Sequence, residues 1–414
     1  MATSAKRALR IVVPALGAVA ALSLTACAGD AGTSSNADGF EGVELTVWNN
    51  IDFDPYQTLQ KEYFEECAAE LGVTVDVQTI TGEYTSKLLQ AASSGSLPDI
   101  ALLSTDTQVG LLAEQGVLAD LDALGVSTEG ISDTVVGLGE FDGTLYALPV
   151  QVENYVLFYD TAAFAAAGID APPATFAELV EDTKAIAAAT GQYGIALPGV
   201  GGDGSTAQYF LPFLLSAGGD PADPTSQGAV DAVTLYQQLV AEGGLSKEFV
   251  NWGWDVTDQW LGQKAAVQVS GPWNLVDTSI PFEYGTASIP VLNAGDEGSI
   301  GLLGYAYGVS AAGDAAHQEA AAALIACRAS EENQIDTAIQ GGYIPALTSA
   351  QEAFVAEVPA AASFVDAIEN GYNAAQLGTE WNSLQQVYID AIQDAAVNGT
   401  DPAEALEKAA KAQG

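Results

Sequence analysis

Among the chain's 414 residues are one histidine, one methionine, three cysteines and only 11 lysines and arginines, set against 54 aspartates and glutamates. Each scarcity removes a class of chemistry. One histidine, His317, and three cysteines argue against a zinc site of the usual ligands, and against a Ser-His-Asp triad anywhere away from His317. His317 itself sits among alanines near a predicted helix start and reads as a solvated residue. A formal charge of -43 excludes nucleic acid as a natural partner. It also argues against long-range steering of an anionic ligand. No phosphate loop of the G-x-x-x-x-G-K-[ST] type occurs, so the chain binds no nucleotide through that device, and no cofactor is implied. So much acid reads as surface solubility or adaptation to a salty medium. Composition leaves open a pair of carboxylates, which is all that glycosidase chemistry needs.

What is present begins at the amino terminus. Lys6, Arg7 and Arg10 precede an apolar run from Ile11 to Leu24, closed by the small residues Thr25 and Ala26. That is the anatomy of an export signal. The run is shorter than the roughly 20 residues a bilayer span requires, Pro14 and Gly17 weaken it further, and no later segment replaces it. Leu24-Thr25-Ala26-Cys27 resembles the lipobox of bacterial lipoproteins, which implies acylation of the Cys27 thiol and cleavage just before it. The alternative is an ordinary secretory signal with an incidental cysteine. Residues 27–42, almost entirely Gly, Ala, Ser, Asp and Asn, read as a flexible tether spanning about 20 Å. Two acyl chains would hold such a protein stably on the outer face of the cytoplasmic membrane. Loss of residues 1–26 removes three basic residues and no acidic one, moving the charge from -43 to -46.

The residues beyond the tether exceed what one hydrophobic core usually serves, so two lobes are expected. From Glu44 the pattern is strand, helix, strand, helix, that of an α/β lobe. Leu45 to Trp48 reads as a strand. Tyr56, Leu59, Tyr63, Cys67 and Leu71 form an inward helical stripe. Thr74 to Gln78 and Asp99 to Leu103 read as strands, with a helix from Tyr84 between them. Leu148 to Tyr159 reads as one extended segment, and Ala265 to Ser270 as a strand. Thr175 and Glu178 fit a capping box. The last third reads as mostly helix, from Ala315 onward. Cys67 and Cys327 both lie on inward stripes, and in an exported protein such thiols pair more often than not. Their pairing would return the segment near residue 327 to the lobe built by the first hundred residues; otherwise they are two separate buried thiols.

Five stretches, in this order and spacing, resemble the extracellular solute-binding proteins of carbohydrate importers, the group that includes maltose-binding protein. They are "ELTVWNN" (44–50), "SSGSLPDIALLSTDTQVGLLAEQGVLADL" (93–121), "GTLYALPVQVENYVLFYD" (143–160), "GQKAAVQVSGPWNL" (262–275) and "ASEENQ" (329–334). The resemblance implies a two-lobe α/β fold of the periplasmic-binding-protein type II, with three interlobe crossings near Val150, Pro290 and Ile344. The first lobe would take residues 43–150 and 292–344, the second 151–291 and 345–414. It further implies a monomeric, non-enzymatic receptor that closes on a mono- or oligosaccharide by hinge motion and delivers it to a membrane permease.

Sugars are bound by aromatic faces and by planar polar groups that reach hydroxyls. Carried over position by position, the resemblance implies ligand contacts from Asn50 and Asp52 after the first strand, Asp106 after the third, and Glu153 and Asn154 at the first crossing. Tyr209, Trp273 and Trp381 would form the aromatic platform of the second lobe. "GPWNL" directly follows a strand, which would present Trp273 at the strand's end instead of inside a helix. Trp254, in "NWGWDVTDQW", would line the rim or merely pin a loop. Trp48 reads as core, and Asp52 and Asp106 have the alternative role of helix caps. Phe53, Leu103 and Thr107 replace a lysine, a tryptophan and an arginine of the maltose-binding members, which makes maltose itself a poor candidate. Two competing readings are a receptor for a polyamine or other cation, using Asp52, Asp106 and Glu153, and a secreted glycosidase.

Overall fold

The computed structural model describes residues 40–202, 204–277, 279–373 and 381–413. The export signal, Cys27 and nearly all of the 27–42 tether lie outside the described residues. Thirteen strands are described: β1 Glu44–Asn49, β2 Thr74–Thr79, β3 Ile100–Ser104, β4 Glu140–Phe141, β5 Thr144–Leu145, β6 Ala147–Glu153, β7 Val156–Asp160, β8 Tyr193–Ala196, β9 Ala265–Ser270, β10 Tyr284–Ala287, β11 Ile300–Val309, β12 Ile344–Pro345 and β13 Gly371–Asn373. Two sheets hold the fold. The larger runs β12-β6-β11-β3-β1-β2, with β13 added alongside the start of β11; the smaller runs β10-β7-β9-β8. In the larger sheet β2, β1 and β3 are parallel, while β11 runs antiparallel to both β3 and β6.

Alternation along the strands explains how the larger sheet buries both faces. Ile100 and Leu102 of β3 enter one core with Leu45, Val47 and the Tyr56–Leu71 helix. Ala101 and Leu103 enter the other, beside Tyr84 and Leu88 of the Tyr84–Ser94 helix. A strand covered on both faces by helices is the expected form of a parallel sheet. Trp48, expected in the core, is only half-buried and packs against the second of these clusters. The Thr175–Glu178 capping box forms as the sequence specifies, with both reciprocal hydrogen bonds present.

The helices expected from Ala315 onward form, at Ala315–Arg328, Glu331–Gly341, Thr348–Glu357, Trp381–Asn398 and Pro402–Gln413. The first omission is β11, which precedes them. β11 hides from propensity because Gly301, Gly304 and Gly308 interrupt it, and each lies where a neighbour comes close. At Gly304, φ is +154° and an added Cβ would lie 2.2 Å from the Gln151 carbonyl oxygen, so only glycine fits. A second omission is the helix Ser205–Ser216, buried except at Gln208; a helix apolar on nearly every side carries little periodic stripe to detect. The extended segment Leu148 to Tyr159 forms as expected, in two strands. β6 ends at Glu153 and belongs to the larger sheet, β7 starts at Val156 and belongs to the smaller, so the chain changes sheet at Asn154 and Tyr155, a few residues beyond Val150.

β6 reaches that point bent. Its register against β11 steps from Ala306 opposite Pro149 to Tyr305 opposite Gln151, leaving Val150 as the extra residue of a bulge. Pro149 has no N–H to offer the ladder, and bulges are where strands tolerate this. The bulge sharpens the local twist and turns the end of β6 toward the second sheet.

The helical side of the larger sheet is tied covalently and through a buried cation. Cys67 and Cys327 form a disulfide across 260 residues of sequence, joining Tyr56–Leu71 to Ala315–Arg328. Next to it Arg328, 1% exposed, lies 5.0 Å from the ring centre of Tyr63 and donates to Gln60 Oε1 at 3.2 Å and to Thr337 Oγ1 at 3.1 Å. Tyr307 of β11 donates to the same Gln60 oxygen. Closing a loop of this length restricts the unfolded chain strongly. Replacing both cysteines by alanine is expected to lower unfolding free energy by about 3 to 5 kcal/mol, read as a reduced midpoint in urea with a steeper slope, because the unbridged unfolded chain exposes more surface. An unchanged midpoint would show that the bond does not constrain the unfolded state.

Candidate binding site at the crossing between the sheets

The carboxyl ends of β1, β3, β6 and β9, together with the Asn154–Tyr155 crossing, bring most of the expected residues to one place. Open α/β sheets bind their ligands at such strand ends. From the larger sheet come Asn50 after β1, Asp106 after β3 and Glu153 at the end of β6. Tyr305 of β11 stands between them, paired with Ser104 on one side and Gln151 on the other. Its hydroxyl is hydrogen-bonded by the Asn50 side chain.

Glu153 is 7% exposed, and burial raises its carboxyl from the ordinary range to about 8, with the nearby Asp106 carboxylate adding to the rise. Asp106 is half-buried; Ser104 Oγ donates to its carboxylate, and Thr107 Oγ1 does so at 3.4 Å. The cap alternative fails for both aspartates. The helix Gln108–Glu114 has Thr107 at its N-cap and Tyr56–Leu71 has Pro55, neither making a side-chain cap bond. Asp52 stays exposed on the loop before that helix.

The smaller sheet contributes an aromatic wall. Tyr155 is its keystone: its ring lies 5.1 Å from Tyr209 and 5.9 Å from Trp273, and its hydroxyl donates to Gln208 Oε1 at 2.8 Å. Tyr209 in turn lies 6.2 Å from Trp254, which is 47% exposed at the outer end of the row. Ser270 and Thr257 hydrogen-bond the Tyr209 hydroxyl, yet burial still pushes it up to about 12. Trp273 follows the end of β9 through Gly271, as expected, and lies in a short 3-10 turn, Pro272–Val276. Its ring covers Gly271 so closely that an added Cβ would come within 2.1 Å of it. Glycine there is what lets the indole fold back.

Two expected residues are placed differently. Asn154 is fully buried, and its Nδ2 donates to the Phe364 carbonyl at 2.9 Å, which makes it a strut at the crossing. Trp381 is 8% exposed in the core of the second sheet, with its ring against Tyr388. The sequence reading passed over Tyr155, Tyr305 and Tyr343. Tyr155 lay inside "VENYVLFYD", one residue past the expected pair, and Tyr305 and Tyr343 lay in segments with no strand signal. Burial raises the hydroxyls of all three, and Glu153 adds to each.

Four buried polar atoms without a hydrogen-bond partner gather at these strand ends: Asn49 Nδ2, Asn50 Oδ1, Thr105 Oγ1 and Asn154 Oδ1. Buried polar groups are normally satisfied, so a cluster of donors and acceptors left unspent marks bonds kept for something else. Tyr56 donates to Gln151 Oε1 from behind, holding that amide in place.

The family model described as "Bacterial extracellular solute-binding protein" matches residues 62–364. The diacetylchitobiose binding protein DasA of Streptomyces coelicolor is 30% identical over 250 residues, covering 56% of this chain and 57% of that protein. The galactooligosaccharide-binding protein of Bacillus subtilis is 25% identical over 432 residues, 98% of this chain and 97% of its own. Among solved structures, the cyclic alpha-maltosyl-1,6-maltose binding protein of Arthrobacter globiformis superposes with a TM-score of 0.78 at 23% identity, covering 90% of this chain and 98% of that one. That last likeness is one of fold, and it identifies the two sheets and their crossings as a two-lobe periplasmic-binding-protein fold of type II.

The buried acid makes a stability prediction. A carboxyl raised to about 8 in the folded state and ordinary in the unfolded one holds its proton only when folded between those two values. Stability is therefore lost as pH rises through that window and levels off above about 8. Glu153→Gln, which keeps the shape of the neutral acid, is expected to match the parent near pH 4 and to exceed it by on the order of 4 kcal/mol at pH 9. Parallel denaturant titrations at the two pH values check it, and identical pH profiles would refute the neutral buried acid.

Proposed function

Because the chain belongs to the bacterial extracellular solute-binding proteins, we propose that it captures a mono- or oligosaccharide between its two lobes and hands it to the membrane permease of an ATP-driven importer. The unspent amide and hydroxyl atoms at the strand ends carry the reading. They mix donors and acceptors, as a polyhydroxylated ligand requires, and the half-buried Trp273 and exposed Trp254, braced by the buried rings of Tyr155 and Tyr209, supply indole surface suited to the C–H faces of pyranose rings. Relatives named for diacetylchitobiose and galactooligosaccharide binding support the same class. Asp106 and Glu153 serve as hydroxyl partners.

In this reading the lobes are residues 43–153 with 292–344, and 154–291 with 345–414, the first boundary lying after Glu153, where the chain leaves the larger sheet, and not at Val150. Hinge motion at the crossings brings the walls together on the ligand. Acylated Cys27 anchors a monomeric receptor outside the cytoplasmic membrane through the 27–42 tether. Among the described residues no helix is long and apolar enough to cross a membrane.

A thermal-shift screen against saccharides, polyamines and amino acids tests the class. A micromolar ligand at millimolar concentration adds about 4 kcal/mol of stability and raises the midpoint by several degrees. The expected hit is a saccharide whose affinity falls at least tenfold, about 1.4 kcal/mol, in Trp273→Ala. Gly271→Ala, which displaces the indole from behind without touching the ligand, is expected to weaken the same ligand. A polyamine hit indifferent to Trp273 would sink the carbohydrate reading and leave the receptor architecture.

A further inference from the structure

We propose that the site reads the charge of its ligand, taking saccharides that bear a protonated amine in preference to neutral ones and excluding acidic ones. The inference rests on the saccharide reading above and narrows it. Its basis is the company Glu153 keeps. Glu153 is buried at the end of β6, with Tyr305 of β11 between that strand and the β3 end that carries Asp106. The groups that act on its charge, or on which its charge acts, are Asp106, Tyr155, Tyr305, Tyr343 and Gln151 of its own strand. None is cationic. Among the described residues every lysine is exposed, and Arg328 is spent in the core on Gln60, Thr337 and the Tyr63 ring.

An acidic sugar would therefore bring a second negative charge beside the Asp106 carboxylate and against the buried Glu153, 7% exposed, with no cation to offset it. Burying an unpaired charge beside like charges is strongly unfavourable. An ammonium group meets the opposite situation, in which both acids gain a partner through charge-assisted hydrogen bonds. A metal ion is a poorer fit, since among the described residues no group of three His, Cys, Asp or Glu side chains is placed to hold one. The aromatic wall distinguishes an amino sugar from a bare polyamine, because the half-buried Trp273, braced by the Tyr155 ring two residues beyond Glu153, offers an indole face on that side.

Proton balance follows from the same geometry. In the empty site Glu153 is held mainly as the neutral acid at pH 7 by its burial and by Asp106. Arrival of an ammonium favours the carboxylate, so the Glu153 O–H proton leaves to solvent and the ligand's own protons remain in place. A neutral sugar provokes no such release.

Isothermal titration at about pH 6.5 with glucosamine, N-acetylglucosamine, glucose and glucuronate, and with their β-1,4-linked trimers, tests this on the purified protein. The amine-bearing member of a series is expected to bind at least tenfold tighter than its hydroxyl or acetamido counterpart, and glucuronate more weakly than any of them. Repeating the titration in buffers of different ionisation enthalpy should show close to one proton released with the amine, and none with the neutral sugars. Glu153→Gln is expected to bring the amine to within about threefold of the neutral sugar and to abolish the release. Equal affinities for amine and neutral members, or tighter binding of the uronate, would overturn charge selection while leaving the saccharide reading intact. Failure of every saccharide, with binding of another solute class in the thermal screen, would overturn both.

Discussion

The short passage from Gln151 to Tyr155 is where the architecture is decided. A bulge at Val150 bends β6, Glu153 ends it, Asn154 is pinned to the Phe364 carbonyl, and Tyr155 opens the second sheet with two other aromatic rings against its own. Within these residues the backbone leaves one sheet and enters another. An acid is buried at the junction, and the aromatic wall is hung on the residue next but one. The site and the hinge are thus the same stretch of chain. A ligand that touches Glu153 on one side and Tyr155 on the other contacts both lobes without reaching far into either.

That coincidence has an electrostatic consequence. The chain is overwhelmingly acidic, and for most of its carboxylates solvent makes the charge inexpensive. Glu153 differs because the junction excludes water from it, so its charge state responds to whatever else enters. The unsatisfied atoms around it are of the same kind. In a settled core they would be faults, each costing roughly 1 to 3 kcal/mol. Gathered at the ends of β1, β3 and β6 they are capacity held in reserve. Stability is given up locally where function needs open valences and recovered elsewhere, as in the disulfide and the Arg328 network behind the larger sheet.

How much of this the sequence disclosed follows from which signals are periodic. Amphipathic helices and alternating strands were readable wherever an element has one wet face, hence Tyr56–Leu71 and the capped helix after Thr175. Elements buried on nearly every side were not. Ser205–Ser216 has almost no polar face, and β11 is broken by glycines whose purpose, clearance for Gln151 and other neighbours, appears only in three dimensions. The site was legible by another route. The acids and amides after the strand ends were reached only through the family resemblance, carried over position by position. Tyr155 was not reached, because nothing local distinguishes a tyrosine that bridges Tyr209 and Trp273 from one that fills a core. Asn154 and Trp381 show the converse, in which the expected residue type is present but its bonds and ring contacts are made to Phe364 and Tyr388.

Rigidity around the junction completes the reasoning. Each wall is stiffened away from the cleft: the larger sheet by a disulfide and a buried guanidinium joining three helices and β11, the smaller by the almost wholly buried Ser205–Ser216 helix and the aromatic cluster about Phe210, Tyr236 and Tyr388. Motion between the lobes must then concentrate in the crossings, because the cores resist continuous deformation and give only at their joints. Since Glu153 and Tyr155 flank one such joint, any change in their separation also changes how much water reaches the acid. Closure would therefore strengthen every polar contact at the moment it completes the site, because the same displacement that brings the walls together lowers the local dielectric. A ligand's charge is consequently weighed most heavily in the closed form, and selectivity and closure become two readings of one movement.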